Sequence, residues 1–421
     1  MSTTKVAPAL LEESYMKSTD GTLSGTITGT YTLAGTPTIT NPTITTPAIT
    51  GGVASADPTD ALGLATKQYV DATQQNPIIN GNMDIWQRGP SFAAPVNIYT
   101  ADRWLYDRSS TGVVTISGST NVPTVAEAGV LFTSSLEVDV TTADASINAA
   151  DYAFLAHTIE GYNWRHFAQR NFTLSFWVFS SKTGIHGVTC RNGAADRSYV
   201  AEYTVNAANT WEFKSITVLA SPSAGTWNYT NGRGLTILFG LLEGTTNGTS
   251  TIGSWLSAAV LGSNNQVNVL DNVANFFRIT GVKLELGSTA TPIQFVPFEE
   301  ELVRAKRYFR KSFNYATAVA QNAGVNTGEH RWSATIAGAV ASLSPRVQFN
   351  DQMRGTPTIV LLNPAAVNAQ VRNITDAADH SASGTETNSV SDTGFNIIST
   401  GLAGTAVGES LAVHWTADAE L

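Results

Sequence analysis

Residues 172–181, "FTLSFWVFSS", alternate Phe172, Leu174, Phe176 and Val178 with Thr173, Ser175, Trp177 and Phe179. Successive side chains of a strand point to opposite faces, so the first set makes one continuous apolar face and predicts a strand packed on a second layer. The stretches "WEFKSITVLA" (211–220), "GLTILFGLL" (234–242) and "FFRITGVKLELG" (276–287) behave similarly, with Gly, Asn, Ser and Thr turns between them. Together they predict a mainly β chain whose largest part, 77–298, is a jelly-roll β-sandwich.

Outward from this region, "TPIQFVPFEEELVRAKRYFRKSF" (291–313) reads as a helix. Glu299, Glu300 and Glu301 stand at its start, and Arg304, Lys306, Arg307, Arg310 and Lys311 follow, as the helix dipole favours. Leu302, Ala305 and Phe309 are its expected buried stripe, and the basic residues its expected solvated face. Beyond it, "HRWSATI", "RVQFN", "TPTIVLLNP", "GFNIIST" and "ESLAVHWTADAEL" predict a second, smaller β-sandwich, so 299–421 is a helix plus a C-terminal sandwich. Trp332 and Trp415 are expected on its core faces.

Composition agrees with this reading. A chain of 421 residues exceeds what one core usually serves. Its 14% of charged residues and 35 glycines suit turn-rich β structure. The net charge of -9 argues against a nucleic-acid partner, because such proteins need a basic face to neutralise phosphates. The single cysteine, Cys190, excludes an internal disulfide framework and any multi-cysteine zinc site. No run of about 18 apolar residues occurs, and "MSTTKVAPALLEESYMKSTD" (1–20) has no apolar signal segment, so no membrane insertion is expected.

Residues 35–50, "GTPTITNPTITTPAIT", raise a different problem: prolines at 37, 42 and 47 and Ile39, Ile44 and Ile49 recur every five residues, with no charge from Gly21 to Ala56. An odd period alternates faces, so a flat strand cannot bury all three isoleucines. Three copies winding about a common axis could, which predicts a trimeric shaft over 21–56. A disordered Thr/Pro linker is the competing reading. In 57–76, Asp57 and Pro58 open a short helix in which Leu62, Ala65, Tyr69 and Ala72 form a narrow coiled-coil seam. So thin a stripe again calls for partner helices, and the seven residues form the expected homotrimer interface.

"ALGLATKQYVDA", "PIINGNMDIWQRG", "YTADRWLY", "VKLELGSTATPIQFVPFEEELVRAKRYF" and "HWTADAEL" resemble phrases that recur in bacteriophage tail-fibre and related virion fibre proteins. The resemblance covers most of the chain from 57 onward. It implies a homotrimeric fibre, made in the host cytoplasm, whose residues 1–20 attach to a virion protein and whose distal sandwiches bind host surface polysaccharide. A capsid, collar or baseplate decoration protein without a receptor role is the alternative. Asp102, Arg103 and Trp104 are read as structural, a core tryptophan beside an ion-paired turn.

Catalytic signatures are missing: there is no P-loop, no HExxH and no G-x-S-x-G, and the six histidines are dispersed. The chain is read as a non-enzyme with no cofactor, metal or catalytic residue; a polysaccharide depolymerase built on two carboxylates is the weaker alternative. For glycan contact, a sugar needs an aromatic face for its C–H surface and polar groups for its hydroxyls. Two loops offer both: "GTWNYTNGRG" (225–234), with Trp227, Asn228, Tyr229, Asn231 and Arg233, and "GYNWRH" (161–166), with Tyr162, Trp164 and His166. The competing reading closes the sandwich end with Trp164 and Trp227.

Overall fold

The computed structural model describes residues 17–19, 22–24 and 76–421, apart from 295, 336, 338–341, 381–384 and 400–403. The chain divides into two compact units, Met1–Ser55 and Ala56–Leu421. In the first, Lys17–Thr19 and Thr22–Ser24 pair as an antiparallel hairpin, with Ser18 opposite Leu23. Apart from that hairpin and Asn76, the expected attachment segment, shaft and coiled-coil helix lie outside the described residues, as do all seven residues of the expected trimer interface.

The second unit is mainly β and holds two sandwiches. In the larger, one sheet has seven strands in the spatial order Trp255–Leu256, Ser198–Val205, Gly184–Asn192, Arg233–Glu243, Tyr152–Glu160, Trp104–Arg108 and Ile98–Tyr99. The other has six: Glu212–Val218, Phe172–Ser180, Phe276–Leu286, Ser135–Thr142, Val113–Ser119 and Ser91–Ala93. Strands distant in sequence are neighbours in both sheets, the crossover pattern of a jelly roll rather than a meander.

The alternation in 172–180 is what sets the layers. Phe172, Leu174, Phe176 and Val178 are all fully buried, and Phe176 meets Phe239 of the opposite sheet edge-on at 5.0 Å. Burying each such side chain stabilises the fold by roughly 1.5–3 kcal/mol. Cys190 lies in this core, where burial pushes its thiol pKa up to about 12 and leaves it unreactive.

The smaller sandwich is built around Ser410–Asp418, which pairs with Phe309–Lys311, His330–Ser333, Thr358–Leu362 and Arg372–Asn373. A second sheet centres on Gly394–Ser399, flanked by Ser342–Leu343, Val347–Gln348 and Thr385–Ser391. Trp332, Phe349, Phe395, Ile397, Leu411 and Val413 form its core, and Trp415 packs against it half-buried.

The helix spans Phe298–Lys306 and is shorter than its sequence suggests. Ala305 is buried, but Phe309 lies beyond the helix, in the strand Phe309–Lys311. The basic residues are not a solvated face. Arg304 bonds Glu301 at 2.6 Å and the Asn76 carbonyl at 2.6 Å; Arg307 grips Glu160 with two bonds, at 2.9 and 2.7 Å. Arg310 donates to the carbonyls of Lys306 and Asp351, and Lys311 to those of Tyr315 and Thr317. Each of these four finds acceptors supplied by the folded chain, and three of them, Asn76, Glu160 and Asp351, are far off in sequence, which helical periodicity does not register.

These contacts belong to a junction that joins the two sandwiches. The turn Ala101–Trp104 closes with Trp104 N–H donating to the Ala101 carbonyl at 2.9 Å, and Arg103 takes a left-handed φ of 71° within it. Arg103, 1% exposed, ion-pairs with Glu420 and lies over the Tyr308 ring at 3.5 Å. Arg88 covers the Phe309 ring at 3.8 Å and reaches Asp418 at 3.0 Å and Glu420 at 3.2 Å. Asp102 accepts from Gln87 N–H at 2.6 Å and Gln87 Nε2 at 2.8 Å. The phrases "PIINGNMDIWQRG", "YTADRWLY", "EEELVRAKRYF" and "HWTADAEL" therefore meet in one place.

Candidate functional site

The strand Tyr152–Glu160 runs straight into a single helical turn, Gly161–Trp164, at the end of the larger sandwich. Gly161 N–H donates to the Gly232 carbonyl at 2.9 Å and Tyr162 N–H to the Thr230 carbonyl at 2.8 Å, so the two loops singled out in the sequence are one surface. Glycine is needed for this approach: a Cβ on Gly161 would stand 2.4 Å from Asn228 Oδ1 and 2.6 Å from the Thr230 carbonyl. Asn228 in turn shapes its own loop, its Oδ1 accepting from Thr230 N–H at 2.9 Å and Gly232 N–H at 3.2 Å.

The eight candidates divide by exposure. Tyr162 (44% exposed), Tyr229 (37%), His166, Asn231 and Arg233 face solvent. Trp164 is fully buried, stacked on Phe167 and on Trp227, whose ring is 5.5 Å away. Trp227 is half-buried and meets Trp255 edge-on at 5.6 Å, with its Nε1 donating to the Ala224 carbonyl. Trp164 is corrected from a ligand contact to an end plug of the core. Trp227 belongs to the same plug, and Asn228 is committed to its turn.

Beside Tyr162 and His166 opens a cleft of about 660 Å³ whose far wall is the helix and the residues after it, Arg304, Arg307 and Tyr308, with Asn76 at its rim. Glu160, 2% exposed, accepts both Arg307 bonds and a bond from the Tyr308 hydroxyl at 2.7 Å. The bonded Glu160 carboxylate raises the Arg307 pKa, while burial, with Glu160 adding, raises that of Tyr308, so Tyr308 keeps its proton. The wall is thus two ion pairs, Arg304–Glu301 and Arg307–Glu160. Arg304, Arg307 and Glu160 line the cleft, and Glu301 reaches it only through Arg304. Sequence reasoning missed this wall because Arg304 stands far along the chain from Tyr162 and joins it only through tertiary packing.

Among the residues lining the cleft Glu160 is the sole carboxylic acid, and its oxygens are already engaged, whereas glycoside hydrolysis needs a pair. Elsewhere Ser312 Oγ lies 2.8 Å from His414 Nδ1, but His414 is fully buried against Phe313 and its other nitrogen faces Thr327. Among the described residues no group of three or more His, Cys, Asp or Glu could hold a metal, and no helix is long and apolar enough to cross a membrane.

No protein-family profile and no curated protein matches this chain. Solved structures that resemble it in part include the enzymatically active domain of tailspike protein 4 of bacteriophage CBA120, at 16% identity and a TM-score of 0.29 over 53% of this chain. The match spans 22% of that tailspike's length. A family 11 carbohydrate-binding module from Clostridium thermocellum, solved with a mixed-linked tetrasaccharide, overlaps 48% of this chain and 99% of its own at 10% identity and a TM-score of 0.27. The module TmCBM61, solved with β-1,4-galactotriose, overlaps 51% and 100% at 8% identity and a TM-score of 0.26. Overlaps this loose assign no family.

Proposed function

We propose that this protein is a bacteriophage virion fibre that binds glycans of the host surface during adsorption, through the joined loops 161–166 and 225–234 and the cleft beside them. The observation that carries the binding part is the convergence of those loops. Two segments chosen separately for their aromatic and polar residues are hydrogen-bonded into one exposed surface. Tyr162 and Tyr229 supply ring faces, and His166, Asn231, Arg233 and the ion-paired wall supply hydroxyl partners. The fibre part rests on the phrases shared with phage fibre proteins. On this reading the chain is synthesised in the host cytoplasm, residues 1–20 attach to a virion protein, and three copies associate through the shaft and seam. Three linked sites turn weak single contacts into firm attachment.

The test is an array of bacterial surface polysaccharides probed with the full chain, with Tyr162→Ala and with Tyr229→Ala. Binding to at least one polysaccharide is expected, weakened on the order of tenfold by either exposed tyrosine. An array on which the full chain binds nothing, or on which both variants bind undiminished, contradicts the reading.

A further inference from the structure

The acids and the bases of the cleft wall differ in what they leave for a ligand. Glu160 has both oxygens engaged by the wall itself, Oε1 by Arg307 Nη2 and Oε2 by Arg307 Nε and the Tyr308 hydroxyl. Glu301 is engaged in the same way: its Oε1 accepts from Asn80 N–H and its Oε2 from Arg304 Nη1. Both carboxylates are thus committed to donors of the protein.

The guanidiniums are not. Arg307 holds Glu160 through its Nε and Nη2 alone, and its side chain, 35% exposed, lines the cleft. A planar guanidinium gripped on that side keeps a second edge, Nη1 with the remaining Nη2 hydrogen, whose parallel N–H groups match the oxygens of a carboxylate. Arg304, one helical turn earlier, lines the same cleft, with its Nη atoms on Glu301 and the Asn76 carbonyl. Arg165, exposed, lies over the Tyr162 ring at 5.7 Å. Glu299 and Glu300, the other acids of the helix, do not line the cleft. Two guanidiniums against one carboxylate leave the lining positively charged, in a chain whose net charge is -9.

We propose that the cleft selects acidic saccharides: a carboxylate carried on a sugar ring meets the open edge of Arg307, with Arg304 beside it and the sugar against Tyr162. The proposal rests on the reading of the cleft as a glycan site and names the class of glycan it takes. A sugar hydroxyl also accepts from a guanidinium, but a charge-assisted bond is roughly twice as strong as a neutral one, and the paired form adds geometric selectivity. The buried Glu160 carboxylate fixes the Arg307 plane before a ligand arrives, so little side-chain freedom is lost on binding.

Binding of the full chain to immobilised polygalacturonate, alginate and hyaluronate, each beside its carboxyl-reduced form, tests the proposal. Reduction turns every uronate into a neutral sugar and keeps the linkages. Binding to at least one acidic polymer is expected, weakened on the order of tenfold by reduction. Replacing the pair together, Glu160→Gln with Arg307→Gln, strands no buried charge and should lower binding of the acidic polymer to that of its reduced form. Arg304→Gln should weaken the acidic polymer alone, and it serves as the test if the double variant fails to fold. Acidic and reduced forms bound alike, both weakened by Tyr162→Ala, overturn the acidic selectivity and leave the glycan site standing. Acidic binding that ignores the arginine variants, or none to the three acidic polymers while the array shows a neutral one bound, also overturns it. No binding to any form, here or on the array, overturns the proposal together with the reading beneath it.

Discussion

Glu243 ends a central strand, and its Oε1 is buried with no hydrogen-bond partner. Burial alone pushes its pKa up to about 8. An unfolded glutamate titrates near 4.3, so between about pH 4.3 and 8 the folded chain holds a proton that the unfolded chain has released. Stability therefore falls as pH rises through that window and levels off above it. Glu243→Gln removes the titration while keeping the shape. Urea unfolding at pH 5 and pH 8.5 should show the wild type losing about 1–3 kcal/mol more than the variant; parallel losses would contradict the assignment. At this scale the sequence was informative about residue type and silent about burial. "GYNWRH" showed that Tyr162 and Trp164 were aromatic, but their opposite fates follow from one helical turn that points Trp164 into the core. The outward Trp177 and Phe179 were visible within "FTLSFWVFSS", as aromatics where alternation leads one to expect polar residues.

Among elements, the segment 418–421 carries a disproportionate share of the connection between the two sandwiches. Glu420 faces Arg103 and Arg88, Tyr99 donates its hydroxyl to the Leu421 carbonyl at 2.7 Å, and Arg354 holds the Ala419 and Glu420 carbonyls at 2.7 and 3.0 Å. Breaking a buried pair by removing one partner strands the other charge. Glu420→Ala should therefore cost about 3–5 kcal/mol, and adding Arg103→Leu should recover part of that cost. Thermal or urea unfolding of both variants checks this; a loss below about 1 kcal/mol for Glu420→Ala would show that Arg103 is solvated or otherwise paired. The strands themselves were legible, because alternation reports burial on one side of a ribbon. The helix was legible at its acidic start. Its end was not, since Phe309 leaves the helix to pair with Ser410–Asp418, a partner that no local pattern announces.

For the whole molecule, the phrases that resemble phage fibre proteins and the residues that fit a sugar lie in different places. The phrases converge on the junction, where buried Arg88, Asp102, Arg103 and Glu420 fix one sandwich on the other. The candidate contact surface lies on loops at the edge of that junction, and Arg307 joins the two through Glu160. A rigid frame that carries its contact residues on exposed loops suits the proposed receptor-binding role, since loop changes alter specificity without disturbing the core. The most direct test is the structure of the full chain bound to an oligosaccharide cut from the polysaccharide it binds best on the array. The proposed function predicts sugar rings against Tyr162 and Tyr229, with hydroxyls reaching the Arg304–Arg307 wall. An oligosaccharide held elsewhere, with the cleft and both tyrosines untouched, would contradict it.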